Sequence, residues 1–468
     1  MTSTKAPGWG ALLTGGHGPT AATLGGGVGL HAVNVYLATT VMPSVIEDID
    51  GARLYAWATT IFTVASVLGS VLASTVLDRV GPRAAYRWSA ATLLLGTVVC
   101  ALAPTMVVLL AGRALQGLAG GLLFALCYSV VRLVFEEELW PRALAMISAM
   151  WGIATLLGPA LGGVWAQAHQ WRGAFWTLVP LLAIIAAFGA AKLPDRAGDQ
   201  TASRVPWVAL GLLTAAVLVV SSASVSDQVS VNVIGLLLAA ALMVLWVRHE
   251  RRASVRVMPT ATFSADHRLR RIYLTMSFLL IAVAVEVFVP FFGQRLQGLN
   301  PLEAGYLGAA MAAGWTLGSL ALSGVTKRRT LVIATSPAFV VVGLVLLTVF
   351  GPMRSSSAAV ALTVGFGLIL AGWGVGAVWP HLFANVMRLA GDDDQGIAGS
   401  SLTTVQLTAI AFGSAIAGAV ANTTGFADPA TTSSAARWLF GVFLIPAVAA
   451  LIGGILVSRP DRQVGRPS

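Results

Sequence analysis

The chain has 468 residues, 57% of them hydrophobic and 10% charged, with a formal net charge of +10 and a mean hydropathy of +0.82. An ordinary soluble domain carries about 25% charged residues, which excludes one here. Apolar runs of about 20 residues, the length that crosses a bilayer, follow one another almost from end to end, so the composition is that of an all-α polytopic membrane protein.

In chain order the predicted spans are 20–45, 54–77, 87–104, 106–131, 143–167, 173–191, 207–224, 230–247, 272–293, 303–325, 330–350, 357–381, 397–421 and 435–457, fourteen in all. The first is too long for the apolar core of a cleaved signal and is read as a span. Cys100 and Cys127 both lie inside spans, where a thiol packs as a small hydrophobe, so neither a disulfide nor a metal site is expected. With the N-terminus inside, 23 of the 29 lysines and arginines fall in cytoplasmic segments and five outside, as the positive-inside rule requires. An even span count puts both termini in the cytoplasm of a cell-membrane protein. The excess positive charge then orients the chain and meets anionic lipid, and no nucleic-acid partner is expected. Two charges remain inside spans, Arg113 in the fourth and Glu286 in the ninth. A charge kept at that depth is costly and marks a functional site or a paired one.

The basic stretch 248–271 separates the eighth span from the ninth, and beyond it the pattern starts again. The end of the second span reads GSVLASTVLDR from Gly69, and the end of the tenth reads GSLALSGVTKR from Gly318, with five identities at a constant offset of 249. Repeated halves with a site between them are a transporter architecture. The expected organisation is a first six-helix bundle over 1–192, a linker with two extra helices over 193–256, and a second six-helix bundle over 257–468.

Several motifs carry a family resemblance. LDRVGPR (77–83), between the second and third spans, resembles the loop signature of the major facilitator superfamily, with Asp78, Arg79, Gly81 and Arg83 in place. LLAGRALQGLAGG (109–121) resembles its fourth-helix signature through Arg113, Gln116 and Gly117. LLGPALGG (156–163), with Gly158, Pro159, Gly162 and Gly163, is similar to the motif of proton-linked drug antiporters, as are WRGAF (171–175) and the stretch 291–319. Fourteen spans match the fourteen-helix drug:proton antiporter branch. The resemblance implies a major facilitator fold of two six-helix bundles plus two inserted helices (14 TM), in a secondary active exporter of lipophilic small molecules that works by alternating access, without a cofactor. Ser74 and Pro82 depart from the loop signature, and Asn34 stands where related exporters carry a first-helix aspartate implicated in proton coupling.

Arg113 is either a structural pin held by carbonyls and neighbouring polar groups or a charge facing the cavity that the family's first and fourth helices line. Glu286 lies at a similar depth on the ninth span, the second half's counterpart of the first, and is expected to supply the titratable carboxylate that Asn34 cannot, with its state set against Arg113. A buried, merely hydrogen-bonded glutamate is the alternative. His31, one turn before Asn34, is a second candidate for proton handling or a packing residue, and Asn34 is a polar cavity contact. The proline and glycines of 158–163 remove a helical hydrogen bond and allow close helix approach. Trp373, Trp379, Phe288, Phe291 and Phe292 are expected to line the cavity or to form interfacial belts.

The loop charges predict two cytoplasmic latches. Asp78, Arg79 and Arg83 in one half, and Lys327, Arg328 and Arg329 in the other, each face the opposite half's acidic loop, Asp392, Asp393 and Asp394 or Glu136, Glu137 and Glu138. This requires the second span to pack on the thirteenth and the fifth on the tenth. Solvated acids at helix N-termini are the simpler reading. The glycine runs 25–29 and 372–376 lie within spans and match no phosphate-binding loop, so no enzyme activity is expected. The partners expected are a lipophilic substrate, protons and membrane lipids, for a monomeric protein. A lipid or glycolipid translocase is the alternative transporter. A non-transporting sensor or scaffold is the alternative of another class, disfavoured because no sizeable soluble segment is present.

Overall fold

The structure is a computed structural model, and it describes residue 12 and residues 16–136, 139–188, 193–195, 205–264, 267–322, 324–325, 327–390 and 394–459. Regular structure among these residues is all helical. Only internally bonded backbone is stable in lipid, and these sequences supply apolar runs with few competing polar groups. The helices are α1 (Gly18–Ile49), α2 (Trp57–Ala101), α3 (Met106–Val134), α4 (Trp140–Gln167), α5 (Trp171–Phe188), α6 (Trp207–Ala223), α7 (Val229–Glu250), α8 (Arg268–Val283), α9 (Val289–Leu296), α10 (Pro301–Leu322), α11 (Arg329–Phe350), α12 (Ala358–Leu389), α13 (Gln395–Thr423), α14 (Thr432–Val442) and α15 (Leu444–Ser458). Among the described residues, eleven segments are long and apolar enough to cross a membrane, with two shorter apolar helices, Trp171–Ala187 and Trp207–Ala223. This is three fewer full-length spans than the fourteen expected from the sequence.

Local sequence explains the main breaks. Thr105 caps α3, its hydroxyl accepting from the Val108 N–H at 3.4 Å, which satisfies one orphan donor. In α2 the predicted loop 78–83 shrinks to one non-helical residue, Gly81, at φ 76° and ψ 165°, a left-handed position that glycine adopts without a Cβ penalty. There α2 turns back on itself: it leaves the end where Gly51 lies against Met106 and returns to it at Ala101. That end, remote from the N-terminus of α1, is called distal, and the other proximal. α8 and α9 form one span interrupted by a 3-10 stretch, Ala284–Phe288.

The helices assemble as two groups. In the first, α1 packs on α4 and α2 on α3 and α5; in the second, α10 packs on α12, α11 on α12 and α15, and α8 on α15 and α13. The repeat reappears as geometry. A Cβ on Gly69 of α2 would lie 2.0 Å from the Leu118 carbonyl oxygen of α3, and one on Gly318 of α10 would lie 2.5 Å from that of Trp373 on α12. Each glycine thus seats a helix backbone directly on its neighbour. Between the groups, α10 meets α4 and α13 meets α2, the two pairings that the latch reading required, and α10 also meets α1. The hairpin α6–α7 leans on α13 and α2.

Candidate functional site

The first half's site is built around Arg113, which is 2% exposed. Gly117 lets α2 reach it, since a Cβ there would lie 2.1 Å from the Phe62 carbonyl oxygen. The close approach brings the Phe62 ring to 4.1 Å beneath the guanidinium and the Ala58 carbonyl to 3.2 Å from Nε. Nη1 donates to Gln116 Oε1 at 2.8 Å, Gln116 Nε2 donates to Thr97 Oγ1 at 2.9 Å, and Thr97 donates to the Leu93 carbonyl at 2.8 Å. The fourth-helix motif is therefore one hydrogen-bonded relay tied to both limbs of α2. Among the described residues no ion pair joins Arg113 to Glu286, contrary to the expected pairing. Gln116, one turn along the same helix face, and the Ala58 carbonyl hold the guanidinium instead. Arg113 also lines a cavity of about 10 Å³ with Ala38, Thr39, Met42, Tyr55, Ala58, Thr59 and Val287, room for about one water.

One turn along the α1 face from Ala38 sit two under-satisfied groups. Asn34 is 1% exposed, and neither its amide nitrogen nor its oxygen has a partner; His31 Nδ1 is likewise unpartnered. A buried polar atom left without a protein partner costs about 1–3 kcal/mol. His31 lies in an aromatic box, stacked at 5.6 Å on Phe62, with Phe124 at 5.9 Å and Trp151 at 6.1 Å. Gly120 admits the ring, because a Cβ there would lie 2.2 Å from Nδ1.

Glu286 belongs to the 3-10 break between α8 and α9, half-buried among buried Ala284, Val285, Val287 and Phe288. It lies near Tyr36 of α1, in the other half. It takes part in no described ion pair.

The glycine–proline motif of α4 works as a two-sided spacer. A Cβ on Gly158 would lie 2.5 Å from Tyr36 Cβ, and one on Gly162 would lie 3.0 Å from the Leu37 carbonyl and from Thr40, all on α1. A Cβ on Gly163 would lie 2.5 Å from the Leu302 Cα of α10, in the other half. Pro159 stands near the same crossing, 3.3 Å from where a Gly305 Cβ would be.

The halves are joined at the distal end. Arg295 Nη2 meets Glu47 at 2.6 Å, Gln167 Nε2 donates to Asn300 Oδ1 at 2.6 Å, and Tyr55 donates to the Val287 carbonyl at 3.1 Å. Arg172 meets Asp48 at 2.5 Å within the first half, beside Trp171. Phe288, Phe291 and Phe292 do not line an open cavity, as expected from the sequence, but close into a plug. Tyr55 stacks on Phe288 at 4.9 Å, Phe426 meets Phe291 at 4.9 Å, and Phe440 meets Phe292 at 5.9 Å. Trp379 packs at 5.4 Å on Trp315 instead, and Trp373 is half-buried. Sequence reading missed Tyr55 and the Glu47–Arg295 pair; the only cue was the cluster of charges around 47–53.

The proximal latches are not made among the described residues. Arg83 holds residues 193–195 at the start of the linker, with Nη1 at 2.7 Å from Asp195 and Nε donating to the Leu193 carbonyl at 2.9 Å. Asp394 accepts from the Thr260 N–H at 2.7 Å. Lys327, Arg328 and Arg329 are exposed, Arg79 and Glu136 are exposed, and Asp78 is half-buried; none of them appears in a described ion pair. Glu137, Glu138, Asp392 and Asp393 lie outside the described residues. The physical reason is that the halves meet at the distal end, which leaves the described proximal charges with partners from their own half, from the linker, or with solvent.

Fold and site together define a multi-pass helical membrane protein of two bundles meeting at an aromatic plug, with a buried polar relay inside the first. The sequence profile of the Major Facilitator Superfamily matches residues 24–414. A probable multidrug-efflux transporter of Mycobacterium tuberculosis is 39% identical over 476 residues, covering 99% of each chain. Multidrug resistance protein 3 of Bacillus subtilis is 25% identical, covering 84% of this chain and 77% of its own. A crystal structure of a POT family transporter in complex with 5-aminolevulinic acid superposes with a TM-score of 0.67 at 11% identity, covering 94% of this chain and 96% of that one, a likeness of fold. The chain belongs to the Major Facilitator Superfamily. It is a membrane transporter of that family, not an enzyme.

Proposed function

We propose that this protein exports lipophilic or amphipathic small molecules across the cell membrane in exchange for protons, by alternating access between its halves. Support for efflux comes from relatives named as multidrug-efflux transporters. Counting α10 and the two short apolar helices with the eleven long spans gives fourteen, the number of the drug:proton antiporter branch. The charge distribution then sets both termini in the cytoplasm and makes the distal end the outside. The halves are 1–192 and 257–468, with 193–256 as the insert, and the protein acts as a monomer in contact with anionic lipid.

The observation that carries proton exchange is Glu286, an intramembrane carboxylate in a helix break, in no described ion pair, near Tyr36 of α1 in the other half. It is the proton carrier in place of Asn34. Arg113, tied to Gln116, holds a fixed positive charge on the cavity that Val287 also lines, and Asn34 and His31 offer unpartnered hydrogen-bonding atoms to a bound substrate. The Gly158–Gly163 spacer and the Gly81 turn serve the rocking of the halves. The proximal loop charges pair across the halves only when the distal end opens. One observation favours a second reading: an uncharged Asn34 suits a lipid or glycolipid translocase that needs no proton.

The test uses proteoliposomes with an inside-acidic pH gradient, a panel of lipophilic compounds and a fluorescent lipid. Substrate-driven proton movement in the wild-type protein and its loss in Glu286→Gln are expected. Proton movement that survives the substitution removes Glu286 from the role, and movement of the lipid alone, without a pH response, replaces the exporter with the translocase.

A further inference from the structure

The hairpin α6–α7 carries more contacts than an inserted linker needs. Its turn lies between the distal start of α2 and the distal end of α13 and is bonded to both. Toward the first half, Trp57 Nε1 donates to the Ser221 carbonyl at 2.7 Å and Arg53 Nη2 meets Asp227 at 3.0 Å. Toward the second half, Asn422 Nδ2 donates to the Ser224 carbonyl at 2.7 Å, and Asn232 Nδ2 donates to Thr423 Oγ1 at 3.0 Å. Asn422 Nδ2 also donates to the Arg53 carbonyl at 2.8 Å, which closes the ring. Gly418 makes the junction tight, since a Cβ there would lie 2.7 Å from Ala56 Cβ and 3.5 Å from Ser224 Oγ.

Distal opening must separate α2 from α13 at this point, and the hairpin cannot follow both. Its apolar faces decide which it follows. Ala216, Val220 and Ala239 pack with Ala415 of α13, whereas α2 offers Val64 where Val217 meets Ala411. The charge pair to the first half is two-thirds exposed, 66% at Arg53 and 60% at Asp227, and such pairs are individually weak. We propose that the α6–α7 hairpin is a distal latch: it rides with the second half and holds the 51–57 segment of the first, so that opening requires release of Arg53–Asp227 and Trp57–Ser221. The proposal rests on the alternating-access reading but not on what is transported.

The experiment places a reporter cysteine at Thr59, on the wall of the Arg113 cavity, in a background with Cys100→Ala and Cys127→Ala, and measures labelling by a membrane-impermeant thiol reagent from the distal side. Asp227→Asn is expected to raise the labelling rate about two- to fivefold, the range set by losing one exposed pair. Asn232→Ala, on the side that stays attached, is expected to leave it unchanged. In the same background without the reporter, a short reducible cross-linker between Arg53→Cys and Asp227→Cys is expected to stop transport until reduced, and one between Ser224→Cys and Asn422→Cys to permit it. An unchanged rate in Asp227→Asn, or the opposite cross-linking pattern, overturns the latch. If the labelling behaves as expected while no compound moves in the wild-type protein, the latch stands and the efflux reading falls.

Discussion

Gly163→Ala gives the sharpest test of how the halves meet. The new methyl would lie 2.5 Å from the Leu302 Cα and 2.8 Å from its Cδ1, against an optimum of about 3.5–4.0 Å between carbons. The Cδ1 can swing away, but the Cα is backbone, so α10 has to retreat from α4. Overpacking of this kind costs about 1–3 kcal/mol. Because Gly163 and Leu302 belong to different halves, the cost falls only on the distal-closed state. The equilibrium should therefore move toward distal opening by about five- to 150-fold. Gly162→Ala is the matched control: its methyl meets Leu37 and Thr40 of the same half at about the same crossing, so it burdens both states alike. Double electron–electron resonance between nitroxides at Gln170 and Ser356, exposed distal positions in opposite halves, reads the opening directly. A longer-distance population that grows in Gly163→Ala and not in Gly162→Ala is expected. Identical distance distributions in wild type and Gly163→Ala would refute the assignment of this contact to the gate.

Three further outcomes follow from the site. Gln116→Leu strips Arg113 Nη1 of its partner and removes the bond that Thr97 Oγ1 accepts, leaving Thr97 donating to the Leu93 carbonyl; a bond to a charged group is worth about 1.5–3 kcal/mol, so detergent-solubilised protein should melt lower, and an unaltered Tm means the relay is not holding the charge. Tyr55→Phe keeps the ring in the plug but loses the bond to the Val287 carbonyl, about 1 kcal/mol, and should raise distal labelling at Thr59 with little change in Tm; equal labelling would assign Tyr55 to packing alone. Asn34→Leu removes two unpartnered buried atoms and should raise Tm while slowing transport of hydrogen-bonding substrates. Transport at the wild-type rate would mean that no substrate reaches the amide.

Much of the architecture was legible in the chain because bilayer physics writes it plainly. Span length and the glycines at 69 and 318 each answer to one local requirement, and the apolar runs at 207–224 and 230–247 fold as the helices α6 and α7. Arg113 was legible as a buried, held charge for the same reason, since a lone charge in an apolar run has few explanations. Its partner was harder. Gln116 stood three residues away inside the same motif, yet Glu286 seemed the natural counter-charge by depth alone, and depth does not fix the direction a side chain takes around its helix. The distal contacts were out of reach: Glu47 and Arg295 are 248 residues apart, and nothing in either segment names the other. The turn at Gly81 was read as a loop because its flanking charges look like one, whereas a single left-handed residue suffices.

The plug of Tyr55, Phe288, Phe291 and Phe426 has one more consequence, for the cell rather than for the cargo. Four rings, each no more than 2% exposed, set an apolar layer between the halves that offers a hopping proton no polar stepping stone. A resting protein with this seal does not short-circuit the membrane. Thousands of idle copies can sit in one envelope without draining the electrochemical energy on which every other gradient-driven process depends.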